Sequence, residues 1–234
     1  VIPELVTFDC AQTIIQVRWT VEGFARDCAQ HVGIDLPDEA YSDYRRAYFE
    51  RLPEFLALNL RRDPAEGAEF WRRLAGDWLE RHGLSRHKAT ALWEASERLG
   101  FGPDSILFSP YADVVPCLDQ LKTMGVRVAV VSNWDYSLHR VLGMFGLHER
   151  FELVLASLEE GVEKPDPRLF EICLDRLGVS PDRALHVGDD PIDDLGGATA
   201  AGMRALLIDR ERDQSGDRVL ASLTHLPEAF AWTR

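Results

Sequence analysis

Five short apolar runs, each spaced from the next by helix-period sequence, leave few folds open to this chain of 234 residues. They are Leu5 to Phe8, Val126 to Val131, Leu153 to Ala156, Ala184 to Val187 and Arg204 to Ile208. Runs that are apolar on both faces read as strands buried on both sides. Strands separated by single helices must lie parallel, because each crossover returns the chain to the same edge. The predicted fold is therefore α/β, a doubly wound, Rossmann-like parallel sheet.

One interval breaks the rhythm. After Ile14 to Val17, about ninety residues carry apolar side chains at helical spacing. Val21, Phe24, Ala25 and Cys28 share one face. Tyr41, Tyr44, Tyr48, Phe49 and Leu52 form the next stripe, and Pro53 should kink or restart that helix before Phe55, Leu56 and Leu60. Asp63-Pro64 opens a third helix through Phe70, Trp71, Leu74 and Trp78, and Ser85 caps a last one. Aromatics at this spacing are expected to pack a core. The expected domains are an α/β core over 1–16 and 105–234, and an all-α insertion over 17–104.

In open parallel sheets, ligands bind beyond the carboxyl ends of the strands. Four polar stretches stand at or near those ends: Asp9 with Thr13; Ser132-Asn133; Lys164-Pro165; and Gly188-Asp189 with Asp190, Asp193 and Asp194. Ser132 ends a strand just before a helix, where a hydroxyl and neighbouring N–H groups can hold phosphate oxygens. Lys164 is one of only three lysines, with Lys88 and Lys122. Four carboxylates in six positions repel one another unless a cation compensates. A hard divalent ion with oxygen ligands, Mg²⁺, suits them.

The formal net charge of −13 opposes nucleic acid and anionic membrane surfaces as partners. A small phosphorylated or otherwise anionic substrate is compatible with it, because a local field can oppose the net charge. Cys10, Cys28, Cys117 and Cys173 make no CxxC pair, as in a reduced cytoplasmic protein. No run reaches transmembrane length and no basic leader precedes Phe8, so a soluble cytoplasmic protein is expected.

In order and spacing, the four stretches resemble the motifs of the haloacid dehalogenase-like hydrolase superfamily, in its helical-cap branch. The likeness covers essentially the whole chain and is greatest to the subgroup containing haloacid dehalogenase-like hydrolase domain-containing protein 3. It implies that Asp9 is the nucleophile and that Lys164 neutralises it and the transferred group. It also implies that Thr13, Ser132 and Asn133 hold phosphate. Mg²⁺ would rest on Asp9, the backbone carbonyl of Ala11 and Asp189. Asp194 would hold metal waters or the lysine, Asp190 would stand beside the metal, and Asp193 would be solvated.

The chain departs from the family at one place. Phosphatases of the superfamily carry a second aspartate two residues after the nucleophile, then glycine and threonine; here the run is Asp9-Cys10-Ala11-Gln12-Thr13. That aspartate protonates the leaving group and later activates water. Alanine does neither, and general acid–base help is worth roughly 10²–10⁴-fold. The expected function is a Mg²⁺-assisted hydrolase of a small phosphorylated metabolite, weak on ordinary monoesters. The alternatives are a non-catalytic or regulatory phosphate- and metal-binding protein, or a hydrolase of C–P or C–halogen bonds. Dehalogenases carry tyrosine at position 11 and lack the acidic cluster. Phosphonoacetaldehyde hydrolases carry alanine there but need a cap lysine, for which only Lys88 is available.

Overall fold

A computed structural model describes residues 1–61, 63–102, 105–216 and 218–231. The chain starts with β1 (Leu5–Phe8) and β2 (Ile15–Val17). Five helices follow: α1 (Val21–His31), α2 (Asp38–Glu50), α3 (Leu52–Asn59), α4 (Pro64–Arg81) and α5 (Ala89–Phe101). After β3 (Phe108–Pro110), strand and helix alternate through α6 (Val114–Thr123), β4 (Arg127–Ser132), α7 (Ser137–Met144) and β5 (Leu153–Ala156). Then come α8 (Ser157–Glu160), α9 (Arg168–Leu177), β6 (Ala184–Gly188), α10 (Gly197–Ala200), β7 (Arg204–Ile208), β8 (Val219–Leu220) and α11 (Leu226–Ala229).

Two compact units result, one of Val1–Gln16 with the chain from Ser109 on, the other Val17–Phe108. The expected end of the insertion, Asp104, lies outside the described residues.

The first unit holds a six-stranded sheet in the order β5-β4-β1-β6-β7-β8, every pairing parallel. β1 and β6 are buried along their whole length, as strands covered on both faces must be. From β1 the chain winds one way through β4 and β5, then returns to β6 on the other side of β1. That reversal is the topological switch point where such sheets bind ligands. One layer packs Leu169, Phe170, Cys173 and Leu174 of α9 with Leu5, Ala129 and Val131 of the sheet. β8, only two residues long, carries no readable period and is absent from the sequence expectation.

In the helical unit, Trp78 is the hub. It is buried, donates its indole N–H to the Ala40 carbonyl at 2.7 Å, and meets the rings of Tyr41 and Tyr44. The chain does restart before Pro53, between Glu50 and Leu52. Phe49 leaves the stripe assigned to it: it is exposed, under the Arg45 guanidinium. It lies one position beyond Tyr48, about 100° around the helix from the face of Tyr41, Tyr44 and Tyr48. All four cysteines are unpaired and buried. Among the described residues, no helix is long and apolar enough to cross a membrane.

The segment after β8 is latched to the start of α6. Asp113 accepts Arg210 Nη1 on both oxygens (3.1 and 3.0 Å), the Ser222 hydroxyl at 2.6 Å and the Leu223 N–H at 2.9 Å. Burial pushes this carboxyl up, but the bonds from Arg210 and Ser222 and the Arg210 charge outweigh burial and hold it below its ordinary value. Its stabilisation is therefore complete above the unfolded-state pKa of about 4 and fades as pH falls through the lower folded value. Asp113→Asn should cost about 1.5–3 kcal/mol at pH 7. In urea titrations the gap to wild type should persist at pH 5 and narrow below about pH 4.

Candidate active site

β1 lies between β4 and β6 in a register that aligns Phe8 with Val130 and Val187. Asp9 and Asp189, just past the ends of β1 and β6, and Ser132, the last residue of β4, therefore share one edge of the sheet. The Asp9 N–H still donates to Val187 O at 2.9 Å, which fixes its backbone to the strand. Its side chain is 8% exposed, and Oδ1 accepts the Ser132 hydroxyl at 2.9 Å and Lys164 Nζ at 2.6 Å.

Lys164 comes from the loop between α8 and α9, and its peptide bond to Pro165 is cis. Asn133 sets its position by a two-way bond. Its Oδ1 accepts the Lys164 N–H at 2.8 Å and its Nδ2 donates to the Lys164 carbonyl at 2.9 Å. Nζ also donates to Asp194 Oδ1 at 2.5 Å, so one buried ammonium joins two buried carboxylates. Burial opposes the ammonium charge, but Asp9 and Asp194 prevail and push Lys164 up to about 12.

Asp194 is held from every side. Oδ1 also accepts from His186 Nε2 at 3.1 Å, and Oδ2 accepts the Asp190 N–H at 2.9 Å. Despite burial, His186 and Lys164 hold its carboxyl well below the ordinary range. Gly188 is required behind it, since a Cβ there would overlap the Asp194 carboxylate. Asp190 caps the turn Pro191–Gly196 through the N–H groups of Ile192 and Asp193 (2.7 and 2.8 Å). Asp193 is partly exposed and accepts Asn133 Nδ2 at 3.2 Å, so it is less detached than expected.

Asp189 has a different setting. Its Oδ1 accepts the Thr13 hydroxyl at 3.1 Å, and burial together with Asp9 and Asp194 pushes it up to about 6. One oxygen each from Asp9, Asp189 and Asp194 lies within 4.8 Å of the others. Three carboxylates face one ammonium here, a surplus of negative charge of the kind a hard divalent cation relieves.

The loop after Asp9 is tight. Ile14 and Ile15 N–H both reach Cys10 O (3.0 and 2.9 Å), Gln12 N–H reaches Ile15 O at 2.8 Å, and Gln12 has φ 54°. The left-handed region costs a residue with a Cβ roughly 1–2 kcal/mol, which glycine does not pay.

Thr13 and Asn133 thus spend their side chains on Asp189, Lys164 and Asp193, while Ser132 turns to Asp9. His186, fully buried with Nδ1 2.8 Å from the Thr7 hydroxyl, was singled out by no motif. Its signal is a lone histidine in an otherwise apolar strand, which must find partners once buried.

A family model described as haloacid dehalogenase-like hydrolase matches residues 3–202. The chain belongs to that family. The human haloacid dehalogenase-like hydrolase domain-containing protein 3 is 43% identical over 218 residues, covering 87% of this chain and 81% of its own. Phosphoserine phosphatase of Thermus thermophilus is 36% identical over 143 residues, 60% of this chain and 55% of its own. Among solved structures, 2-haloacid dehalogenase of Pseudomonas syringae pv. Tomato superposes with a TM-score of 0.65 at 26% identity, over 99% of both chains. Within the matched stretch lie Asp9, Lys164 and Asp194, which are buried, and Asp189, which is exposed.

Proposed function

We propose that this hydrolase transfers a phosphoryl group from a small cytoplasmic phosphorylated metabolite to Asp9 and then to water, with Mg²⁺ as cofactor and the helical unit as cap. The observation that carries the reading is Asp9 itself, buried, held at 2.6 Å by Lys164, with Asp189 and Asp194 within 4.8 Å. Relatives named as phosphatases agree with it.

The donor set fits Mg²⁺: Asp9, Asp189 and the Ala11 carbonyl would hold it. Asp194 already has donors on both oxygens and serves Lys164 instead. Bound there, the ion would offset charge on the transferred group. An Asp9 oxygen attacks phosphorus, the bond to the leaving oxygen breaks, and that oxygen keeps the electron pair. Ser132 and Lys164 fix the rotation of the carboxylate, and Lys164 balances the charge that builds in transfer. Water then attacks the same phosphorus, and the bond to Asp9 breaks with its pair returning to the carboxylate. With Ala11 in place, the leaving oxygen takes its proton from solvent and the attacking water gives its proton to solvent.

Ala11 also favours a second reading, a phosphate- and metal-binding regulator that does not turn over. The acidic cluster speaks against the dehalogenase reading, since dehalogenases of the superfamily lack it.

Beryllium fluoride with Mg²⁺ mimics the phosphorylated aspartate and is expected to raise the melting temperature of the wild type but not of Asp9→Asn. Equal shifts in both would remove Asp9 from its role. Mg²⁺ alone should stabilise the wild type, and Asp189→Asn should abolish most of that shift; an undiminished shift would place the ion elsewhere.

A further inference from the structure

The strained loop after Asp9 is gripped from outside by a residue beyond the stretch that the family model matches, 3–202. Arg210 stands two positions past β7, in a segment pinned to the sheet edge by Asp209 N–H on Leu220 O at 2.8 Å. Its guanidinium makes three different contacts. Nη1 forks onto Asp113, Nη2 donates to the Thr13 carbonyl, and Cζ lies over the Tyr111 ring, 3.6 Å from its centre. Tyr111 in turn donates its hydroxyl to Gln12 Oε1 at 3.1 Å, and its N–H to Ile14 O at 3.1 Å.

Arg210 therefore acts on residues 12, 13 and 14 together: on Thr13 directly, and on Gln12 and Ile14 through Tyr111. Thr13 is the pivot. Its carbonyl takes Arg210 while its hydroxyl holds Asp189. We infer that Arg210 is a positioning residue, which sets where the loop after Asp9 lies and, through Thr13, where Asp189 points. The functional half of this inference rests on the reading of Asp9 as nucleophile. Lysine does not reproduce the role, because Arg210 reaches Asp113 and Thr13 from two separate nitrogens with its planar group over the Tyr111 ring, whereas an ammonium has one nitrogen and no plane.

The test is amide hydrogen exchange, which needs no turnover. In Arg210→Met, the amides of Gln12, Ile14, Ile15 and Tyr111 should exchange about tenfold faster or more, while those of β4 and β5 stay as in wild type. Arg210→Lys should show the same local change and keeps a cation beside Asp113, should the methionine variant not fold. Arg150→Met, which breaks only an exposed pair with Asp119, should leave the four amides unchanged. Unchanged exchange at these amides in both Arg210 variants would overturn the inference, as would equal acceleration across β4 and β5.

On an acyl phosphate with Mg²⁺, kcat should fall about tenfold to 10²-fold, with KM moving less than about threefold. A rise in KM at unchanged kcat would overturn the positioning role. A wild type that takes up no beryllium fluoride would defeat the Asp9 reading, yet the exchange result would still decide the place of Arg210.

Discussion

Replacing Ala11 with aspartate and Gln12 with glycine should raise kcat on an alkyl phosphate by up to about 10²-fold. Loss of a general acid matters most when the leaving oxygen is a strong base, because more charge then builds on it. The gain should accordingly be smaller on p-nitrophenyl phosphate and smallest on an acyl phosphate. The glycine is needed for a backbone reason: residue 12 lies at φ 54°, which glycine adopts without strain. Ala11→Asp alone, with glutamine still held in that left-handed turn, is expected to gain less. Steady-state kinetics on the three ester types checks this order. A double variant that folds, binds Mg²⁺ and gains nothing on any ester would show that the missing acid is not what limits the site.

Lys164→Met should have the opposite effect. It removes the ammonium that bonds both buried carboxylates, at 2.6 and 2.5 Å, and leaves Asp9 without that partner beside Asp194. Breaking such a pair costs about 3–5 kcal/mol, which urea titration would read. Phosphorylation of Asp9 in a single turnover should slow by at least about 10²–10³-fold, the scale for losing one preorganised charge-stabilising group. Lys164→Arg should not rescue the rate, because the planar fork is too broad for a side chain only 2% exposed between two carboxylates. Labelling at the wild-type rate in either variant would exclude the role given to Lys164.

Asp9, Ser132, Lys164 and Asp189 were legible in the sequence because each follows a short apolar run or a helix break at a fixed place in the alternation. A parallel sheet brings such residues to one edge whatever lies between them. His186 was hidden because a polar residue in a strand does not disclose which face it takes, and its partners, Thr7 and Asp194, lie on other elements. Arg210 was hidden for a similar reason: Thr13 and Asp113 are 197 and 97 positions away. The left-handed turn at Gln12 was legible only through the resemblance, which puts glycine at that position; glutamine itself is not a mark of that conformation. Thr13 and Asn133 were found as residues but not as contacts. Residue type and spacing alone do not tell a side chain that meets a ligand from one that holds its neighbours.

The central claim, that Asp9 takes the phosphoryl group, is tested most directly by trapping it. The wild type would be mixed with a ³²P-labelled acyl phosphate and Mg²⁺, quenched in acid, and digested for peptide mapping. Label is expected on the peptide that contains Asp9, and borohydride reduction should convert residue 9 to homoserine. The adduct should accumulate, since Ala11 cannot activate the water that removes it, and Asp9→Asn should carry none. Hydrolysis of the substrate without label at Asp9, or equal label in Asp9→Asn, would contradict the account.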